Sequence, residues 1–240
     1  WDRTQGAPEP IQALNRVIER ENGEPLVDLR IAAPSVLIAR PDVIPYARET
    51  VARMLHAAGQ TLPEGFRLGV VDAWRPLTRQ KRIYDWIWAC AQEAFPHRTH
   101  AQLRRTVNRW AAPYDQKAPP GHCTGAAIDV WLFDAEDKPV DVSAPFERFA
   151  AAPTYAFGLS DDARAKRMLI VEAMLGAGFS NCRDEWWHYS YGDAGWAVRM
   201  GLTECVYGVA HLDDPSAYAE QEALSDQRMK RRPNLFLTGR

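Results

Sequence analysis

Two short motifs far apart in the chain, GHCTGAAID (residues 121–129) and EWWH (185–188), most constrain what it can fold into. If they serve one site, the fold must bring them together. Between them they hold His122, Asp129, His188 and a further carboxylate, Glu185. Three N/O side chains that leave a fourth position open describe a catalytic zinc, whereas a structural zinc is closed by four protein ligands. A carboxylate beside such a metal can act as a general base. The pattern therefore makes His122, Asp129 and His188 candidate ligands of one Zn2+ per chain, with Glu185 as candidate base.

Spacing sets conditions on that reading. His122 and Asp129 are seven apart, so a regular strand would send them to opposite faces. Both reach one metal only if the backbone turns between them, and Gly125 can adopt the dihedrals such a turn needs. Glu185 and His188, three apart, pose the same problem, and Glu185 must sit where a strand begins or bends. Spacing alone leaves a second reading open: His122 caps a loop, Asp129 is a half-exposed strand carboxylate, and His188 is a hydrogen-bonded core histidine.

The remaining composition narrows the class. With 240 residues, 46% hydrophobic and 25% charged, the chain can build one sizeable core. A net charge of −2 provides no basic field for nucleic acid or an anionic membrane. No apolar run is long enough for a transmembrane helix. Cys90, Cys123, Cys182 and Cys205 are scattered without a CxxC pair, which reads as free thiols in a reducing, cytoplasmic compartment. The chain opens at Trp1 rather than methionine, so the lack of a signal peptide carries no weight, and a periplasmic location stays open.

The periodicity predicts short helical character in IQALNRVIER, a helix over 43–59, a buried strand in FRLGVVDAWRP ending near Trp74, and a helix over 77–95. Thr99 and Gln102 form a capping box for a helix to about Trp110. Residues 126–133 and the run EWWHYSY read as strands, and DAEDKPVD as a turn. Ser160 and Gly178 bracket a helix over 161–177. Elements mix without βαβ alternation, so the expected class is α+β, a central antiparallel sheet flanked by helices. Residues 1–210 are expected to form one domain and 211–240 a polar C-terminal extension.

HCTGAAID fits an HxxGxAxD pattern, EWWH fits ExxH, and DAWRP (72–76) fits D-x-Y/W-R-P. In this order the three resemble the D-alanyl-D-alanine dipeptidases of the VanX type, zinc metallopeptidases related to D,D-carboxypeptidases and to the hedgehog signalling domain. The resemblance covers about residues 60–191. It implies an antiparallel sheet with zinc on its face, His122, Asp129 and His188 as ligands, Glu185 as catalytic base, and Arg75 as the stabiliser of the transition state. It also implies a small peptide substrate within cell-wall peptide metabolism. Arginine suits its role because its guanidinium is always charged and rigidly forked. A structural ion pair of Arg75 with Asp72 or Asp85 is the competing reading.

Two departures bear on the substrate. The family serine two residues before the first histidine is Pro120 here, which has neither hydroxyl nor N–H. The family segment whose aspartate receives the substrate ammonium corresponds to VSAPFE (142–147), which puts Glu147 in that role and Ser143 in place of a glycine. These changes leave room for another dipeptide. The rivals are a D,D- or L,D-carboxypeptidase or endopeptidase on longer wall peptides, and a non-catalytic zinc-containing binding domain, which would need neither Glu185 nor Arg75. His97, His100, His56 and His211 belong to no motif. Trp186, Trp187 and Tyr189 read as core and pocket wall.

Overall fold

The computed structural model describes residues 8–142, 153–156 and 158–237. Its elements run α1 (Ile11–Leu14), β1 (Ile18–Glu19), β2 (Leu26–Asp28), α2 (Leu29–Ala32), β3 (Leu37–Ile38), β4 (Tyr46–Arg48), α3 (Glu49–Gln60), β5 (Phe66–Asp72), α4 (Leu77–Ala94) and α5 (His100–Val107). They continue with β6 (Ala127–Asp134), α6 (Asp161–Gly176), β7 (Ser180–Asn181), β8 (His188–Ser190), α7 (Ala194–Arg199), β9 (Glu204–Cys205) and α8 (Ala219–Arg231). The class is α+β.

Five strands form the main sheet in the order β3-β5-β6-β8-β7. The pairs β5·β6, β6·β8 and β8·β7 are antiparallel, as expected, but the edge pair β3·β5 is parallel. The sheet is covered by α3 and α6. Val51, Leu55 and Ala58 of α3 and Ile170, Ala173 and Met174 of α6 recur at helical spacing and bury against Leu68, Val70, Ile128, Val130 and Leu132 of the two central strands. A second cluster joins Tyr84, Ile87 and Ala91 of α4 to Leu103 and Val107 of α5.

Local signals act where expected. Thr99 and Gln102 complete a reciprocal capping box at α5. The Ser160 hydroxyl accepts from Ala163 N–H at 3.1 Å, and Gly178 takes φ +100° just past α6. Three expectations need correction. Helix α3 begins at Glu49, not residue 43, because Pro45 biases the preceding residue to extended backbone and Tyr46–Arg48 pair with β2. Only Ile11–Leu14 of the first amphipathic run is helical, since Ile18–Glu19 pair with β9. Within EWWHYSY only His188–Ser190 are strand, and the residues before them turn.

The C-terminal helix lies against α4. Arg79 and Arg82 both pair with Glu222, and Arg82 pairs with Asp226 at 3.1 Å. The Trp74 indole N–H donates to the Ala210 carbonyl at 3.2 Å, and its ring meets Tyr218 edge-on. No helix among the described residues is long and apolar enough to cross a membrane. All four cysteines are free thiols.

Candidate metal centre

The centre is built on three neighbouring strands. Asp72 of β5 stands opposite Asp129 of β6, and Asp129 opposite His188 of β8. Directly opposed residues project to the same face, so one row across the sheet carries all three side chains. A register irregularity between Val70 and Asp72 brings Asp72 into that row.

His122 arrives differently. Its stretch, Gly121–Thr124, is a single 3-10 turn closed by Gly125 at φ +71°. That left-handed residue reverses the chain into β6 and lets His122 and Asp129 face each other. The His122 Nδ1–H donates to the Ala73 carbonyl at 2.9 Å, and the Arg75 N–H donates to the His122 carbonyl at 3.0 Å. The end of β5 thereby fixes the ring and turns Nε2 toward Asp129 Oδ1, 3.3 Å away. His188 Nδ1 lies 2.9 Å from the same oxygen, and the two imidazoles meet at 5.0 Å between centres. One donor atom from each of His122, Asp129 and His188 lies within 4.8 Å of the others.

The electrostatics follow from this packing. Burial works to raise the Asp129 carboxyl, but His122 and His188 outweigh it and hold the group far below the usual carboxylate range. Burial works to lower His188, yet its bond to Asp129 lifts it to about 9. With Nδ1 of His122 committed to the Ala73 carbonyl, Nε2 is the ring atom that faces Asp129 Oδ1, the position from which it could hold a cation. Tetrahedral donors at about 2.0–2.1 Å from a zinc stand about 3.4 Å apart. The 3.3 Å from His122 Nε2 to Asp129 Oδ1 is close to that and the 2.9 Å from His188 Nδ1 is shorter, so the donor types fit such an ion.

Glu185 enters from a turn, not from a strand. Its N–H donates to Cys182 O at 3.3 Å, and the His188 N–H donates to Glu185 O at 3.1 Å. Asn181 clamps the turn, its Nδ2 donating to Glu185 O at 3.3 Å and His188 O at 3.0 Å. Burial pushes the Glu185 carboxyl above its ordinary range, against the attraction of His188. It lines a cleft of about 350 Å³ together with Arg75, His122, Asp129 and His188. Pro120 lines the same cleft.

Arg75 is ion-paired with Asp72, and its Nη1 donates to Gln80. Its Nε is buried without a hydrogen-bond partner. The ion pair anticipated from sequence thus exists, on a residue that also faces the cleft. Glu147 lies outside the described residues. The flanks of its segment are held by one buried cation: Arg167 donates to Val142 O at 2.6 Å and to Pro153 O at 3.0 Å, with its guanidinium 4.9 Å from the Trp186 ring centre.

Sequence reasoning missed three contributors. Asn181 carries no motif. Glu9, from the N-terminal segment, reaches the cleft and pairs with the buried Arg199 of α7 at 2.7 Å. Only the tertiary fold joins those two. Trp187 lines the cleft and Trp186 is core, as expected. His97 and His100 are exposed, and Cys123 is buried outside the donor cluster.

Fold and site define a hydrolase of the peptidase class once the comparisons are added. Residues 43–206 match the family described as D-ala-D-ala dipeptidase, and the chain belongs to that family. It is 27% identical over 222 residues to a D-alanyl-D-alanine dipeptidase of Synechocystis, covering 78% of this chain and 90% of that protein. It is 26% identical over 126 residues to a D-alanyl-D-alanine dipeptidase of Escherichia coli, covering 52% of this chain and 55% of that one.

Proposed function

We propose that this chain is a zinc-dependent dipeptidase that hydrolyses D-alanyl-D-alanine or a related short dipeptide. The observation that carries the reading is the convergence of His122, Asp129 and His188, with Glu185 in the same cleft. His122, Asp129 and His188 hold the ion on the sheet face. Bound there, zinc supplies a Lewis acid that polarises the scissile carbonyl and brings water toward a pKa of ~7.

The chain's own residues do the rest. Glu185 accepts the proton of the attacking water and passes it to the leaving amine. Its burial suits both halves of that task, because a raised carboxyl pKa makes it a competent acid as well as a base. Arg75, oriented by Asp72 and Gln80, directs a charged donor at the developing oxyanion. Glu147 receives the substrate ammonium, its segment held at both ends by Arg167. Residues 1–210 act as one domain and 211–240 as a C-terminal extension, whose helix α8 lies against α4.

The deciding experiment is hydrolysis of a panel of D,D-, L,D- and L,L-dipeptides by zinc-loaded protein, reading amine release against a chelated control. Metal-dependent cleavage of a dipeptide supports the reading. Cleavage of only longer wall peptides moves it to the carboxypeptidase or endopeptidase rival, and zinc binding without any cleavage to the binding-domain rival.

A further inference from the structure

A second chamber of about 390 Å³ adjoins the candidate metal centre, and Arg75, Trp110, Asp129 and Trp187 line both spaces. Its lining is rich in charge. Arg40, Arg75, Arg79, Arg228 and Arg232 line it, against the carboxylates of Asp42, Asp72 and Asp129. Asp42 is shared by Arg40 at 3.2 Å and Arg228 at 3.0 Å, and Asp72 is taken by Arg75. Arg232 makes no ion pair among the described residues, and its guanidinium sits 5.6 Å from the Trp86 ring centre.

The cations are under-satisfied. Arg75 Nε and Arg79 Nη2 are buried without a hydrogen-bond partner, and the Arg79 side chain is only 4% exposed. Burial, then the like charges of Arg228 and Arg40, pull the Arg232 pKa down. An anion in this chamber would satisfy donors that the protein leaves open.

We propose that this chamber is the subsite for the C-terminal residue of the substrate, whose α-carboxylate is received by Arg40, Arg79 and Arg232. The assignment rests on the dipeptidase reading and adds a direction to it. A short peptide carries one charge at each end. The first cleft sets Glu9, Asp129, Glu185 and Asp193 against Arg75, Arg109 and Arg199, whereas the second chamber sets five guanidinium groups against three carboxylates, with Asp129 lining both. The amino-terminal residue therefore lies in the first cleft, the peptide bond at the metal centre, and the leaving residue among the arginines. Trp86, Trp110 and Trp187 wall the chamber, so the substrate class includes dipeptides whose leaving residue is larger than alanine. Part of the subsite comes from Arg228 and Arg232 on and just after α8, beyond the family match at 43–206.

The test compares a cleaved dipeptide with its C-terminal amide in the zinc-loaded full chain, in Arg232→Gln and in Arg40→Gln. Arg232 stands at the exposed end of α8, so its replacement leaves the core intact. In the unaltered protein the amide should lose about 10- to 100-fold in kcat/KM, the worth of a hydrogen bond to a charged group, mostly through KM. In either variant that penalty should shrink severalfold. An equal penalty in all three proteins, or an amide cleaved as well as the acid, overturns the subsite. If the unaltered protein cleaves no peptide, the dipeptidase reading has failed separately, and calorimetric titration with D-alanine and D-alaninamide decides the subsite. Preferential binding of D-alanine that Arg232→Gln weakens supports a carboxylate site. Equal binding of the two, or binding of inorganic phosphate alone, overturns it.

Discussion

Asp129 and His188 are direct cross-strand partners on β6 and β8, and their side chains meet at 2.9 Å between Oδ1 and Nδ1. The register of a strand pair therefore sets the distance between two candidate metal donors. On the other side of β6, Asp129 faces Asp72, which holds Arg75. One row of the sheet thus links the proposed oxyanion donor to the donor cluster. A one-residue slip of β6 would turn Asp129 to the opposite face.

Glu185→Gln should retain one zinc per chain and lose about 10²- to 10⁴-fold in kcat, the usual contribution of a positioned acid-base group. His188→Ala should lose metal and activity together. Metal analysis beside dipeptide hydrolysis separates the two, and an active Glu185→Gln enzyme would exclude the mechanism.

Removing zinc should lower thermal stability as well as activity. A ligand bound only by the folded chain at 100 times its Kd adds about 2.7 kcal/mol. Melting temperature after dialysis against a chelator, and again after zinc is restored, should fall and recover. A melting temperature indifferent to zinc would speak against a site formed by His122, Asp129 and His188.

Arg75→Lys should cost about 100- to 1,000-fold in kcat with little change in KM, because an ammonium keeps the charge but not the fork. Asp72→Asn should give a smaller loss in the same direction, by loosening the orientation of the guanidinium. Steady-state kinetics of both variants checks this, and a purely structural Arg75 would lower stability while leaving kcat of the folded protein intact.

Asn181→Ala should destabilise the chain by about 1–2 kcal/mol, since two carbonyls of the Glu185 turn lose their shared donor. It should also lower kcat with little loss of zinc, because His188 keeps its strand pairing while Glu185 loses its clamp. Denaturant titration, metal analysis and kinetics on one preparation read all three effects.

Glu24 ties the N-terminal segment to α3 and to Tyr207. Burial works to raise its carboxyl, but hydrogen bonds from Thr50 and Tyr207 prevail and hold it below the ordinary range. Its contribution to stability is therefore fully present above about pH 4.3 and lost as pH falls through the depressed folded value. Acid unfolding followed by circular dichroism should be less steep below pH 4.3 in Glu24→Gln, and an unchanged acid limb would discount this carboxylate.

Much of this was legible in the chain. Capping chemistry marked α5 and α6, because Thr99, Ser160 and Gly178 act on backbone a few residues away. The apolar run ending near Trp74 located β5, and residues 126–133 located β6. Gly125 was marked as the turning point between His122 and Asp129, and its φ of +71° is the reversal that the seven-residue spacing demands. Local signals failed where a partner element decided the outcome: Tyr46–Arg48 became a strand through β2, and Ile18–Glu19 through β9.

The sequence by itself determined the inventory of the candidate site: two histidines, two carboxylates and an arginine, each marked by its type and motif. Tertiary structure alone decided their relations. It placed Asp72, Asp129 and His188 in one row, set Asn181 under the Glu185 turn, brought Glu9 to Arg199, and laid α8 against α4 so that its arginines reach a chamber beside Asp129. Motifs record chemistry within a few residues of chain. Strand register and helix docking are settled by burial and pairing between segments that local sequence does not connect.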